Sequence, residues 1–100
     1  IPSYSLTIFD KDVQENVALP PIGTVVLGRE DGVDLKVDYP SVSRTHARLN
    51  CRHKNLYIED LQSCHGTQVN GRKITGAEKI QPGDVITLGD CVCLVHYDFT

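Results

Sequence analysis

Short runs of alternating apolar and polar residues, each closed by a turn signal, recur along this sequence and leave little room for a fold not built from strands. Ala47, Leu49 and Cys51 alternate with Arg48, Asn50 and Arg52, so one face of that run is apolar and the other basic. A strand produces this two-residue period because successive side chains point to opposite faces. Ser3 to Phe9 repeats it, with Tyr4, Leu6 and Ile8 on one face. Thr24 to Leu27, Leu35 to Val37, Leu56 to Glu59, Thr67 to Val69, Val85 to Leu88 and Val92 to Tyr97 read as further strands. Asp10 to Asn16 reads as a polar loop, Pro82-Gly83-Asp84 as a turn, and Asn70-Gly71 as the two-residue link of a tight hairpin. No stretch of about ten residues holds a helical period with a cap. Strands this short cannot bury themselves singly, and two packed sheets give them a common core. The expectation is an all-β, two-sheet sandwich whose loops gather at the ends and carry function.

One hundred residues suffice for one such core, and no repeat or linker divides them, so 1–100 is read as a single domain. The chain contains no Met and reads as a domain cut from something longer, or as a processed product. With 40% hydrophobic and 23% charged residues the composition argues against disorder. No apolar run approaches the ~20 residues of a membrane-spanning helix, so no membrane partner is expected. The net charge of −3 counts against general nucleic-acid binding, which favours basic chains. Nor are aromatic residues interleaved with the basic stretch, as stacking on single strands requires. The charge is nonetheless uneven. From Ser41 to Ile58 there is no Asp or Glu, while Arg44, Arg48, Arg52, Lys54, His46 and His53 all fall there. A solvated strand face and a local anion site both fit that pattern.

Cys51, Cys64, Cys91 and Cys93 lack the spacing of a disulfide-rich secreted scaffold, and no signal-peptide pattern precedes them. Reduced thiols in an intracellular setting are expected. Cys51-Arg52-His53, Cys64-His65 and Cys91/Cys93 do not match the pair spacing of structural zinc sites. Most of these thiols are read as small buried hydrophobes, with no metal or other cofactor.

Three loop segments carry the chemistry. Gly28-Arg29 follows a strand, Ser41-Val42-Ser43-Arg44-Thr45-His46 precedes one, and Asp60 to Thr67 leads on to Asn70-Gly71. They supply guanidinium forks, hydroxyls and turn N–H groups, which together suit a tetrahedral dianion. The ordered set Gly28-Arg29, Ser43-x-x-His46 and Ser63-x-x-Gly66-Thr67-x-x-Asn70-Gly71 resembles the forkhead-associated (FHA) domain across nearly the whole chain. The resemblance implies a sandwich of about eleven strands that binds phosphothreonine in partner proteins through loops at one end. It implies that Arg29 and Ser43 contact the phosphate, with Arg44 beside them on phosphate or peptide backbone. Cys64 and His65 would face the peptide from their turn. Gly28, His46, Gly66 and Thr67 would shape and brace the loops, and Asn70 with Gly71 would close the next hairpin. Arg48, Arg52, Arg72 and Lys73 are solvated by default, and only nearness to the loops makes them candidates for the peptide flank.

Two positions depart from the family pattern. His65 stands where the family commonly has an Asn that bonds the ligand backbone, and Cys64 stands where a hydroxyl residue is frequent. These departures keep open a second function, phosphate-independent protein binding by the same fold. An enzyme would have to use Ser43 with His46, or Cys64 with His65, without a third orienting group or an oxyanion site, so catalysis is not expected. The expected role is a phosphothreonine-dependent interaction module of intracellular signalling, with the nucleus favoured by the resemblance alone.

Overall fold

Each alternating run becomes a strand whose apolar set turns inward. A computed structural model of the chain describes residues 3–10 and 13–98. Among them lie eleven strands: β1 (Ser3–Asp10), β2 (Val13–Ala18), β3 (Ile22–Gly28), β4 (Leu35–Lys36), β5 (Ala47–Arg52), β6 (Asn55–Asp60), β7 (Thr67–Val69), β8 (Arg72–Lys73), β9 (Glu78–Ile80), β10 (Val85–Leu88) and β11 (Cys91–Asp98). They form a six-stranded sheet in the order β2-β1-β11-β10-β7-β8 and a five-stranded sheet in the order β4-β3-β5-β6-β9. The all-β two-sheet sandwich of about eleven strands is therefore the observed fold.

Between the sheets lies one core. Tyr4, Leu6 and Ile8 of β1 face Leu27, Leu49, Leu56 and Ile58 of the other sheet's strands, with Ile80, Ile86, Leu88 and Val95 completing the layer. Cys51, Cys91 and Cys93 are buried in this core, and only Cys64 is exposed. Burying a side chain of the Leu or Ile kind is worth about 1.5–3 kcal/mol, so this layer supplies the main driving force. At Asn70-Gly71 both φ angles are positive, 54° and 82°, as the mirror-image two-residue turn requires. Val69 pairs with Arg72 across it.

Three local readings need correction. The segment 10–16 is not a loop throughout: β1 runs on to Asp10 and β2 begins at Val13, while residues 11 and 12 lie outside the described residues. β2 is an edge strand, held by backbone pairing to β1, so its exposed Gln14, Glu15 and Asn16 carry no apolar signature. The edge expected over Leu35 to Val37 is the two-residue β4, which runs parallel to β3. β9 has a single buried residue, Ile80, and one inward residue leaves no period to read. The register Leu27–Ala47–Asp60 and the pair Leu88–Thr67 put the exit of β3, the start of β5, the end of β6 and the start of β7 at one end of the sandwich. That end is where the site lies.

Candidate functional site

Ser43 is tied down through three of its atoms. Its amide N–H donates to His46 Nδ1 at 3.0 Å. Its carbonyl accepts the Arg29 N–H at 3.0 Å. Its Oγ accepts the Cys64 N–H at 2.9 Å. These bonds join the β3 exit, the 41–46 loop and the 61–66 turn at one residue. With Oγ accepting from Cys64, the Ser43 hydroxyl proton has no acceptor among the described residues.

Arg29 is exposed, and its Nε donates to the Val42 carbonyl at 2.9 Å. That bond fixes the plane of the guanidinium while the terminal nitrogens have no carboxylate partner among the described residues. Arg29, Glu30, Asp31, Lys36 and Arg44 line a hollow of about 280 Å³. Asp31 is bonded to Lys36 at 2.6 Å, which lowers the Asp31 pKa and raises that of Lys36. Lys36 thus offsets one of the two acids beside the guanidinium pair.

Gly28 makes this closeness possible. A Cβ built on it would stand 1.9 Å from the Arg44 carbonyl oxygen. No side chain fits there, because the obstacle is backbone. The same carbonyl accepts the Glu30 N–H at 3.2 Å, so the two loops zip directly together.

His46 is completely buried. Its Nδ1 accepts from Ser43, so Nε2 carries the proton and donates to the Gly66 carbonyl at 2.9 Å. One imidazole therefore links the serine loop to the glycine turn. The residue's place inside the protein, rather than on its surface, follows from these two bonds.

The 61–66 turn is held from below by Asp60. Its Oδ2 accepts the Ser63 N–H at 3.0 Å, and its Oδ1 accepts both the Ser63 hydroxyl at 2.5 Å and the Thr67 hydroxyl at 2.7 Å. Ser63 Oγ in turn accepts the Gly66 N–H at 2.9 Å. Burial pushes the Asp60 carboxyl up, but the hydroxyl bonds from Ser63 and Thr67 and the Ser63 amide outweigh it and hold the group below the ordinary carboxylate range. Gly66 has φ +83°, a conformation that other residues rarely adopt. Cys64 and His65 sit exposed at the crest of the turn, and neither side chain has a hydrogen-bond partner among the described residues.

Arg29, Ser43, Arg44, Cys64 and His65 are thus gathered at one end, with Gly28, His46, Gly66 and Thr67 beneath them. Asn70 and Gly71 lie apart, at the other end of β7. The Asn70 side chain bonds Asp84 Oδ1 at 3.0 Å and the Val85 N–H at 2.9 Å, bracing the turn before β10. A larger hollow of about 390 Å³, lined by Ile22, Thr24, Cys51, Arg52 and His53 among others, lies at the opposite end of the sandwich and shares no residue with the motifs. Sequence reasoning missed Asp60 as the organiser of the turn. The D-x-x-S spacing of Asp60 and Ser63 is the available signal, since a carboxylate can accept the N–H of a residue just ahead in the chain. It also missed Ser41, whose Oγ accepts the Asp90 N–H at 2.9 Å and joins the β10–β11 turn to the same end.

The FHA domain family model matches residues 25–89, which hold every one of these loops. FHA domain-containing protein FhaB of Mycolicibacterium smegmatis is 37% identical over 68 residues, covering 68% of this chain and 44% of FhaB. The chain thus spans less than half of that relative. Among solved structures, the FHA domain of the CT664 protein from Chlamydia trachomatis superposes with a TM-score of 0.90 at 26% identity, covering 98% of this chain and 99% of that one. A structure from an analysis of phosphothreonine-dependent FHA domain interactions superposes at 0.86 with 26% identity, covering 94% and 95%.

Proposed function

This chain belongs to the FHA domain family, a phosphopeptide-binding interaction module, and on that premise we propose that it recruits phosphothreonine-bearing partner proteins through the loop end of the sandwich. The observation that carries this reading is the three-way anchoring of Ser43, which sets a hydroxyl donor beside the exposed guanidinium of Arg29. A phosphate held there receives the Ser43 O–H, the planar fork of Arg29 and the charge of Arg44. Such charge-assisted bonds are the strong ones, and Arg suits them by geometry as well as charge. Cys64 and His65 then flank the peptide backbone. On this reading the module binds and does not turn its ligand over: His46 spends both ring nitrogens on backbone bonds, and the Asp60 carboxylate is used to hold Ser63 and Thr67 in the turn.

The preferred phosphoresidue is threonine, whose methyl adds apolar contact worth on the order of 1 kcal/mol. An intracellular location accords with four cysteines in no disulfide. Nothing favours the nucleus over other compartments, the relative FhaB being bacterial. Among the described residues no helix is long and apolar enough to cross a membrane.

The test is binding of one peptide with and without its phosphate, measured by calorimetry against wild type and Arg29→Ala. Phosphate-dependent binding that falls about tenfold or more in Arg29→Ala is expected, since bonds to charged groups are worth roughly 1.5–3 kcal/mol. Equal binding of both peptides would favour the alternative, phosphate-independent recognition by the same fold. An Arg29→Ala affinity close to wild type would remove Arg29 from the site.

A further inference from the structure

Four cations near the basic stretch, Arg48, Arg52, Arg72 and Lys73, are peptide-flank candidates on sequence grounds, and their placement separates them. Arg48 is engaged by Glu59, with its Nε 2.7 Å from Glu59 Oε1. Arg72 is engaged by Glu78. Arg52 pairs with Ile22 at the far end of β5 from Ala47. Five residues of strand at about 3.3 Å each put it roughly 17 Å from the loop end. Lys73 alone remains. It is exposed and has no ion pair among the described residues.

Its position is specific. Gly66 has no side chain, and the space a Cβ would take is filled by the Lys73 stem: Cε is 2.3 Å and Nζ 3.2 Å from that point. The lysine therefore packs against Gly66, at the end of the 61–66 turn, with its ammonium beside the residue that follows Cys64 and His65 in the chain. Arg29 and Arg44 line a hollow with Glu30 and Asp31, whereas Lys73 lies outside that hollow, against Gly66, with no ion pair among the described residues.

Resting on the phosphopeptide reading above, we propose that Lys73 is a specificity-determining residue. It selects partners that carry an acidic side chain on the flank of the peptide that crosses the 61–66 turn. The phosphate sits at Arg29, and a carboxylate a few residues away along the peptide reaches the Lys73 ammonium. Lys73 touches the ligand but does not hold the phosphate, so it sorts among phosphorylated partners rather than deciding whether one binds.

The experiment uses a set of phosphothreonine peptides in which one Glu is walked along an otherwise uncharged flank, measured against wild type, Lys73→Met and Lys73→Glu. Met keeps an alkyl chain over Gly66 and removes only the charge. At the position facing Lys73, Glu should tighten binding to wild type about two- to fivefold, the range of an exposed ion pair. Measured as the ratio of the Glu peptide to the uncharged phosphopeptide on the same protein, the gain should vanish in Lys73→Met and reverse in Lys73→Glu. Raised salt should erode the gain. A Glu effect that is the same in wild type and Lys73→Met at every position would overturn the proposal, as would no Glu effect anywhere. Phosphate-dependent binding of the uncharged peptide distinguishes that outcome from failure of the underlying reading, because it survives the first and is lost in the second.

Discussion

His46 shows how much of this site is decided by single side chains that never meet the ligand. This histidine, which the resemblance implies is a brace for the loops, is fully buried and spends both ring nitrogens on the Ser43 amide and the Gly66 carbonyl. Replacing it by Ala removes the partner of the part-buried Ser43 N–H, at about 1–3 kcal/mol, leaves the Gly66 carbonyl only the longer bond from the Gly89 N–H at 3.5 Å, and opens a cavity besides. His46→Ala is therefore expected to lose about 2–4 kcal/mol in chemical denaturation and most of its phosphopeptide affinity, since the two loops it links both belong to the site. A variant as stable as wild type would show that the two bonds contribute nothing net. His65 is the converse case. It lies in the crest of the turn, exposed and without a side-chain hydrogen bond among the described residues, so the fold places little constraint on its identity.

At the scale of the loop and turn elements, two features carry the geometry. The first is contact between the β3 exit and the serine loop. Gly28→Ala would drive a methyl into the Arg44 carbonyl, where only backbone can yield. Overpacking of this kind costs typically 1–3 kcal/mol. Gly76→Ala meets nothing within 4 Å, and its φ lies outside the positive range, so it should stay within about 0.5 kcal/mol of wild type. Thermal unfolding of the pair separates a steric requirement from the general cost of replacing glycine. The second feature is Asp60 under the 61–66 turn. Its folded pKa is held low, so the carboxylate stabilises the fold above its unfolded value, ~3.9, and the contribution is lost as pH falls through the lower folded value. Asp60→Asn should be less stable than wild type at neutral pH, and the two should converge as pH drops below about 4. Urea denaturation at several pH values measures the gap, and a gap that stays constant into acid would exclude Asp60 as its source.

The whole molecule is held by one core between two sheets, and the thiols report on it. Cys51, Cys91 and Cys93 lie inside, and Cys64 sits on the exposed turn. Burial pushes the Cys51 thiol up, and a hydrogen bond with Cys91 together with burial pushes Cys93 up further. The thiolate is the reactive form, so both effects slow modification. Alkylation of the native protein at neutral pH should label Cys64 and spare the other three until the fold opens. The labelling rate of those three then follows global unfolding, read by mass spectrometry. Rapid labelling of Cys93 under native conditions would mean that the β10–β11 pair at the centre of its sheet opens on its own.

The period of two, the turn residues and the ordered motifs are local facts, and local facts determined the all-β class, most strand positions, the inward faces of β1 and β5, and the residues of the candidate site. Asn70-Gly71 specified its turn for the same reason, since a positive φ at both positions is a property of those two residues. The edge strands escaped because a strand paired on one side only, such as β2, needs no apolar face, and β9 has one inward residue. Tertiary structure alone decided which cations stand free. Arg48 and Arg72 find their acids across strand pairs and loops, Arg52 is carried to the far end, and Lys73 folds over a glycine seven positions earlier. It also decided which groups Asp60, Ser41 and His46 bond. Their partners are fixed by how chain segments cross in space, and hydrogen bonds between segments leave no periodic trace along the chain.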